Sequence, residues 1–546
     1  MEPERPRKIA VWFEKTVLEM GLHFRWSFLP PLMVYFAAGI SGLTAIVGAF
    51  FVKEYLGLSA AFLAGLTFWV GLPWALKMPI GHLVDIIWRW KSLLVYFGAS
   101  LIAASLLIMY VLVSSPQYLT PFMGVEAWFI VSALLSPCGY VVQDAVADAM
   151  SVEAVPKFDS SGQPYSDANT KSMHTTMQML GRIALISGLV AVALLNIFMF
   201  SGVESMNVAG KALVYGRIYL TALAIPLVSI SGVILAEVMK RRRRAEMRLK
   251  GMTKQEISKR LDRPAEPVEP NYWYFGGGLA FVAIALTLGL ADFPFSKEII
   301  FAGSMTIVLL LMLQLVKELD EAAARALFGT AIIIFVFRAV PLPGPGITWF
   351  EIDVLGFDQQ FLSVLTLITS LLTLIGMVVL RPLMATRSIA FIVILLTLAG
   401  GVLSLPNIGL YYGVHHWTSS VTGGIVDARF IALIDAAIES PLGQIAMIPM
   451  LAWIAKNAPT HLKATFFAVM ASFTNLALSA SSLLTKYLNE FFVVTREVRN
   501  RETGLIDMPA DYSALGWLLA VVALIAITAP LVTILFIQNS PLRTSE

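Results

Sequence analysis

The sequence predicts an all-α polytopic membrane protein of about fourteen transmembrane helices, set out as two six-helix halves with an extra helix pair between them. Three observations lead there. The 546 residues are 58% hydrophobic and only 14% charged, where a soluble domain carries roughly 25% charged and about 45–50% apolar residues. Apolar runs long enough to cross a bilayer recur from residue 29 to residue 537. One basic, proline-bearing stretch at 238–273 interrupts them near the middle.

The elements follow in order. Residues 1–28 are charged and have no cleavable apolar core, so they form a cytoplasmic or interfacial N-terminus, not a signal peptide. Ile9, Val11, Trp12, Phe13, Val17, Leu18 and Leu22 would supply the apolar side of a short interfacial helix there. Candidate spans are 29–52, 60–81, 93–113, 126–148, 174–200, 213–237, 274–292, 298–316, 327–343, 360–380, 387–406, 429–454, 464–487 and 515–537. Basic residues set the orientation. With the N-terminus inside, the cytoplasmic connections carry Arg89 and Lys91, Lys157 and Lys171, "KRRRRAEMRLK" at 240–250, Lys317 and Arg325, Arg381 and Arg387, and Lys456 and Lys463. The outward 344–358 connection has Glu351, Asp353 and Asp358 and no basic residue. The 488–514 loop, with Arg496, Arg499 and Arg501, breaks the pattern. Both termini come out cytoplasmic, the 538–546 tail included, as expected for a multi-pass protein of a bacterial inner membrane.

The 238–273 stretch reads as a cytoplasmic linker, serving as a topology anchor or as a contact for anionic membrane lipid. It separates a half at 29–237 from an extra hairpin at 274–316 and a second half at 327–537. An internal repeat supports the division: "QDAVAD" carries Asp144 and Asp148, and "IDAAIE" carries Asp435 and Glu439, each pair at i and i+4. That bipartite layout, with a central site between halves, is similar to the major facilitator transporters.

The intramembrane charges are the functional candidates, because a charge in lipid is costly and suggests a site with a partner. Lys77 pairs with an acid or snorkels to the nearby surface. Asp144 and Asp148 share a helix face. Arg182, about ten residues into its span, lies roughly 15 Å deep, within reach of them. Lys77, the two aspartates and Arg182 either form a structural network or act as a proton-linked gate, in which protonating an Asp frees Arg182 for an anionic solute. Asp435 and Glu439 lie nearer the middle of their span, Glu439 just before Ser440 and Pro441. They are a proton-coupling or substrate-amine contact, an ion pair with Arg338, or a hydrated pair in a cavity. Ser472, Asn475, Ser479 and Ser482 near one helical face suit helix packing, with Asn475 also a pore-lining candidate. Gly81 and Asp85, followed by Arg89 and Lys91, have the G-x-x-x-D spacing of the loop signature of major facilitator transporters, a latch in which glycine admits a neighbouring helix. The corresponding "GMVVLRPLMATRS" has Leu380 at the acidic position.

Several classes are excluded or disfavoured. A net charge of +3 does not imply a nucleic-acid partner. Cys138 is the only cysteine, which excludes internal disulfides and thiolate clusters, and its apolar context reads as a buried small residue. His415 and His416 lack further ligands and read as loop, so no metal is expected. There is no phosphate-binding loop and no hydrolase or zinc-protease motif. No cofactor and no enzymatic activity are expected, and uphill transport needs an ion gradient or a partner.

Together the motifs resemble the folate–biopterin transporter family of the major facilitator superfamily. The P-W-x-x-K-P-x-x-G-x-x-S-D segment of that family reads here as Pro73, Trp74, Lys77, Gly81 and Asp85, with Met78 and Val84 departing from it. Asp144, Asp148, Val152 and Glu153 look like its fourth-helix D-x-x-x-D-x-x-x-V-E segment. Arg338, Pro341 and "WFEIDVLGFDQQFL" match the stretch after its seventh helix. Pro459, Lys463, Ala464, Thr465, Phe466, Ala468, Ser472 and Asn475 resemble the P-x-x-x-E-G-T-x-F-A-x-x-x-S-x-x-N segment where its eleventh helix begins, with Lys463-Ala464 in place of Glu-Gly. The extra pair at 274–316 is not part of the usual twelve-helix plan. The resemblance implies a small-molecule solute, a folate or pterin or another organic anion, moved with protons, with Arg182 or Arg338 meeting its carboxylates and Trp74 stacking on its ring. The alternative is a transporter-like assembly factor or sensor that binds a membrane-protein partner through 274–316 and moves no solute.

Overall fold

The computed structural model describes residues 24–56, 58–75, 77–156, 165, 167–261, 280, 283–285, 287–288, 293–317, 321–379, 388–439, 463–499 and 506–543. Within them the chain is helical apart from one short β-ribbon. Eight described helical segments are long and apolar enough to cross a membrane. The N-terminal interfacial helix expected before residue 24 lies outside the described residues, as do most of 274–292 and 440–462.

Helix α1 (Leu29–Gly39) opens with Pro30 and Pro31, whose missing N–H groups cost nothing in a first turn. A 3₁₀ turn at Ile40–Thr44 leads into α2 (Ala45–Tyr55), so the first span is two helical pieces. The second expected span is likewise two, α3 (Ala60–Ala75, with Pro73 inside) and α4 (Lys77–Ile86). Next come α5 (Ser92–Ser114), α6 (Val125–Ala154), α7 (Asp167–Met199) and α8 (Val208–Ala222). Asn207 caps α8 by accepting from the Gly210 N–H at 2.8 Å. Helix α9 (Ala224–Leu249) runs through the whole basic stretch, because nothing between Val238 and Leu249 breaks a helix; the linker therefore begins as helix. A short α10 (Lys254–Leu261) follows.

After the linker come α11 (Ser296–Val316), α12 (Glu321–Ala339) and the short α13 (Gly346–Asp353). Then follow α14 (Gln359–Val379), α15 (Ile389–Tyr411), α16 (Val414–Val421), α17 (Ala428–Glu439), α18 (Lys463–Phe491) and α19 (Leu515–Gln538). Two connections expected as plain loop are structured. His415 and His416 sit on α16, and the connection before α19 holds an antiparallel ribbon of β1 (Val498–Arg499) and β2 (Ile506–Met508).

Packing rests on small residues, as it must where lipid is as apolar as leucine and close backbone approach supplies the attraction. A Cβ on Gly188 would stand 2.8 Å from the Gly39 carbonyl carbon, and one on Gly98 would stand 2.6 Å from the Gly139 oxygen. Those glycines let α1 meet α7 and α5 meet α6. Helices before the linker also pack on helices after it: α3 lies along α18, and α7 along α14. One hydrophobic cluster, with Phe50, Phe51, Leu112, Phe200 and Tyr215, extends to Ile352 and Leu362 beyond the linker. Leu535, Phe536, Phe198 and Trp517 are exposed, as outer faces solvated by lipid should be. Cys138 is exposed too, so the expectation of a buried thiol is corrected: its side of α6 faces away from the bundle core.

Candidate functional site

Two polar regions lie at opposite ends of the bundle. The first begins with Lys77 at the start of α4. Its ammonium stands 2.5 Å from Asp144 Oδ2 and 2.7 Å from Asp148 Oδ2, so one cation bridges both acids of the i, i+4 pair on α6. Tyr35 on α1 donates its hydroxyl to Asp148 Oδ1 at 2.7 Å. The Asp148 side chain is 47% exposed and that of Asp144 only 18%, which makes Asp148 the acid that solvent reaches. Arg182, exposed on α7, exerts its charge on Asp144. Its charge also acts on Arg338 at the end of α12, whose Nη1 is buried with no hydrogen-bond partner among the described residues. Three cations and two carboxylates therefore share this region, leaving one net positive charge.

One turn further toward the Lys77 end, the buried Lys91 donates to Glu153 Oε2 at 2.6 Å, and Lys240 from α9 reaches Glu153 Oε1 at 3.8 Å. Glu153 is thus on the last turn of α6 and holds a specific pair, whereas Arg89 is exposed over the Trp90 ring at 5.7 Å. Among the described residues, a Cβ on Gly81 would meet nothing within 4 Å. The Asp85 side chain is outside the described ones.

At the other end, Arg496 inserts a guanidinium that is 1% exposed. It donates to the Leu58 carbonyl at 2.6 Å, to the Lys53 carbonyl at 3.2 Å and to the Leu56 carbonyl, closing the carbonyls left open where α2 ends. Its carbon lies 4.3 Å over the Trp349 ring. Burial lowers its pKa to about 10, so it stays a cation near neutrality. Lys53 pairs with Asp353, which also accepts from the Tyr512 hydroxyl, and Gln359 donates to the Tyr215 hydroxyl at 2.8 Å. Residues before the linker and after it are locked together here.

Residues 38–545 match the BT1 family. The chain belongs to the BT1 family. A curated folate-biopterin transporter of Synechocystis sp. is 23% identical over 472 residues, covering 85% of this chain and 75% of that protein. Among solved structures, a POT family transporter in complex with 5-aminolevulinic acid superposes with a TM-score of 0.60 at 12% identity, over 93% of this chain and 95% of that one. A structure described under substrate recognition in proton dependent oligopeptide transporters gives 0.57 at 15% identity, over 95% and 98%. These likenesses show a transporter fold.

Within this BT1 family fold, the candidates Lys77, Asp144, Asp148, Arg182 and Arg338 come together. Asp435 does not join them: it is buried on α17, where Asn407 donates to its Oδ2 at 3.2 Å, and it makes no ion pair with Arg338 among the described residues. Glu439 closes α17, its side chain outside the described ones. Asn475 reaches the Trp74 carbonyl at 3.5 Å, at the last turn of α3, and Ser472 and Ser479 are buried in helix packing. On α11, Glu298 takes Lys486 at 3.4 Å and the Tyr487 hydroxyl, tying the extra helix to α18. Among the described residues no cluster of metal ligands occurs. Tyr35, Glu153, Asn407 and Arg496 were not singled out as site residues from the sequence, and only the depth of Tyr35 and Asn407 in apolar runs could have drawn attention to those two.

Proposed function

We propose that this BT1 family chain is a secondary active transporter that carries a small organic anion, a folate or a pterin, together with protons. The observation that carries the reading is the buried guanidinium nitrogen of Arg338, which has no hydrogen-bond partner among the described residues, and on which the charge of Arg182, from the other side of the linker, acts. Two neighbouring guanidiniums repel each other, and a carboxylate seated between them removes that cost while forming bidentate hydrogen bonds. The similarity to the folate-biopterin transporter of Synechocystis sp. supports a folate or pterin as the anion.

Proton coupling follows from charge balance in this reading. With Asp144 and Asp148 both ionised, Lys77 is satisfied and Arg182 is partly neutralised by Asp144. A proton taken up at Asp148, the accessible acid, loosens Lys77 and Tyr35 and adds a positive charge to the region, which draws in an anion. Deprotonation restores the ion pairs and expels it. The 29–237 and 327–537 halves, meeting along α3 with α18 and α7 with α14, would rock about that site in a major facilitator arrangement. Both termini and the basic linker then lie on the cytoplasmic side, with Arg496 at the outer end.

Uptake of labelled folic acid into proteoliposomes, with and without a pH gradient, tests this. Accumulation that depends on the gradient supports it. Absence of uptake across folates, pterins and other organic anions overturns it and favours the assembly-factor reading through α11.

A further inference from the structure

Between α12 and α13 the chain is irregular and reads Val340-Pro341-Leu342-Pro343-Gly344-Pro345. Three prolines at alternate positions have no N–H, so Leu342 and Gly344 are the only backbone donors from 341 to 345. In a membrane protein such backbone must find its partners in neighbouring protein. Here they stand on one buried stripe of α18, at i, i+4 and i+8. Ser481 Oγ donates to the Val340 carbonyl at 2.6 Å, the Leu342 N–H donates to Thr485 Oγ1 at 2.9 Å, and Asn489 Nδ2 donates to the Pro343 carbonyl at 3.2 Å. Thr485 gives its own hydroxyl proton to the Ser481 carbonyl at 2.8 Å, which turns its oxygen into the acceptor for Leu342. A Cβ on Gly344, whose φ is +79°, would stand 2.7 Å from Asn489 Nδ2, so glycine is what lets the strap lie so close.

Four residues of helix rise about 6 Å, as do two residues of polyproline-like chain, so the two backbones keep step. A shift of one notch toward the start of α18 would set Val340 against Ala477, and one the other way runs past the helix end at Phe491. The observed register is the one that uses all three partners. At one end of the strap is Arg338, two residues before Val340. At the other is α13, where a Cβ on Gly346 would stand 3.0 Å from Val494 Cγ1 and where Trp349 carries Arg496. We propose that Ser481, Thr485 and Asn489 are positioning residues, which fasten 340–344 to α18 so that Arg338 and α13 keep a fixed place on that helix. An arginine followed by loose chain spreads over more positions and binds a carboxylate more weakly, because the cost of ordering it falls on the ligand. The part this plays in anion binding rests on the reading of Arg338 above; the fastening does not.

Hydrogen exchange of the full-length protein in lipid nanodiscs, read by mass spectrometry over 340–353, tests the fastening without solute. Thr485→Val keeps the shape and removes the acceptor. Leu342 and the amides of α13 should then exchange at least about fivefold faster than in wild type. Thr485→Ser should keep exchange slow. Unchanged exchange at Leu342 in Thr485→Val would overturn the fastening, and faster exchange confined to Leu342 would overturn its hold on α13. Titration with folate and with a neutral pterin then tests the positioning of Arg338. Thr485→Val should weaken folate alone, by about three- to tenfold, and Thr485→Ser should recover it. Equal weakening of both ligands, or of neither, would overturn the positioning role. If the wild type binds no folate, the anion reading of Arg338 fails and its positioning falls with it, while the fastening is judged by exchange alone.

Discussion

Lys77 Nζ stands between Asp144 Oδ2 and Asp148 Oδ2, at 2.5 and 2.7 Å, and this one ammonium sets the charge state of the Lys77 end. Removing it strands two carboxylates, one of them deep. Breaking a buried pair costs about 3–5 kcal/mol, and the partial exposure of Asp148 reduces that to roughly 2–3 kcal/mol. Lys77→Met should therefore lower the thermal unfolding temperature in detergent at neutral pH. Adding Asp144→Asn should recover part of the loss, because the uncompensated charge is then gone. A Lys77→Met protein that melts with the wild type would contradict this.

Arg338 should act on the solute rather than on the fold, since its buried Nη1 has no hydrogen-bond partner to lose among the described residues. Arg338→Gln is expected to weaken folate binding about 10- to 100-fold, the equivalent of roughly 1.5–3 kcal/mol for a hydrogen bond to a charged group. A neutral pterin without carboxylates should lose much less. Equal losses for both ligands, measured by titration calorimetry, would show that the guanidinium does not read a carboxylate.

Much of this arrangement was legible in the sequence. The long apolar runs gave the fold class, because lipid forces every backbone group into helices. The spacing of Asp144 and Asp148 gave a shared face, and Lys77 read as either paired with an acid or snorkelling to the surface. Arg496 and Glu351 were not legible, because their roles depend on distant chain. Arg496 reads as a stray charge in a loop, and only the folded chain brings three carbonyls from residues 53–58 to its guanidinium. Glu351, in the connection between two spans, reads as one of three loop acids, and only the folded chain shows it partly buried on α13. Tyr35 is one aromatic among many until α6 reaches it. Cys138 was misjudged because an apolar run in lipid has two dry faces, and only one of them is the core.

The Arg496 contacts should hold their end of the bundle shut. Ala60 is 2% exposed beneath them, packed with Trp349 and Val494. In a Cys138→Ser background, a cysteine at position 60 should label slowly with a water-soluble thiol reagent in detergent. Arg496→Ala should raise the labelling rate at least about tenfold, since it leaves buried carbonyls unsatisfied at about 1–3 kcal/mol each. Arg496→Lys should not restore slow labelling, because a single ammonium cannot fork to three carbonyls. Slow labelling in both variants would show that other contacts close this end.

The same reporter gives the sign of a pH dependence. Closure raises the Glu351 pKa from an ordinary 4.5 to about 7, so the closed form binds a proton more tightly than an opened form in which the carboxyl is solvated. Below 4.5 both forms are protonated and closure carries no penalty from this group. As pH rises through that window the opened form ionises first, and above about 7 the full cost of burying the carboxylate falls on the closed form. Labelling at position 60 should therefore accelerate between pH 4.5 and about 7 and level off beyond, after correction for thiolate reactivity with a free thiol standard. In Glu351→Gln the corrected rate should be flat across that range, because the neutral amide mimics the protonated acid at every pH. A corrected wild-type rate that falls with rising pH would mean that ionised Glu351 favours closure, and would reverse the assignment of its proton to the closed form.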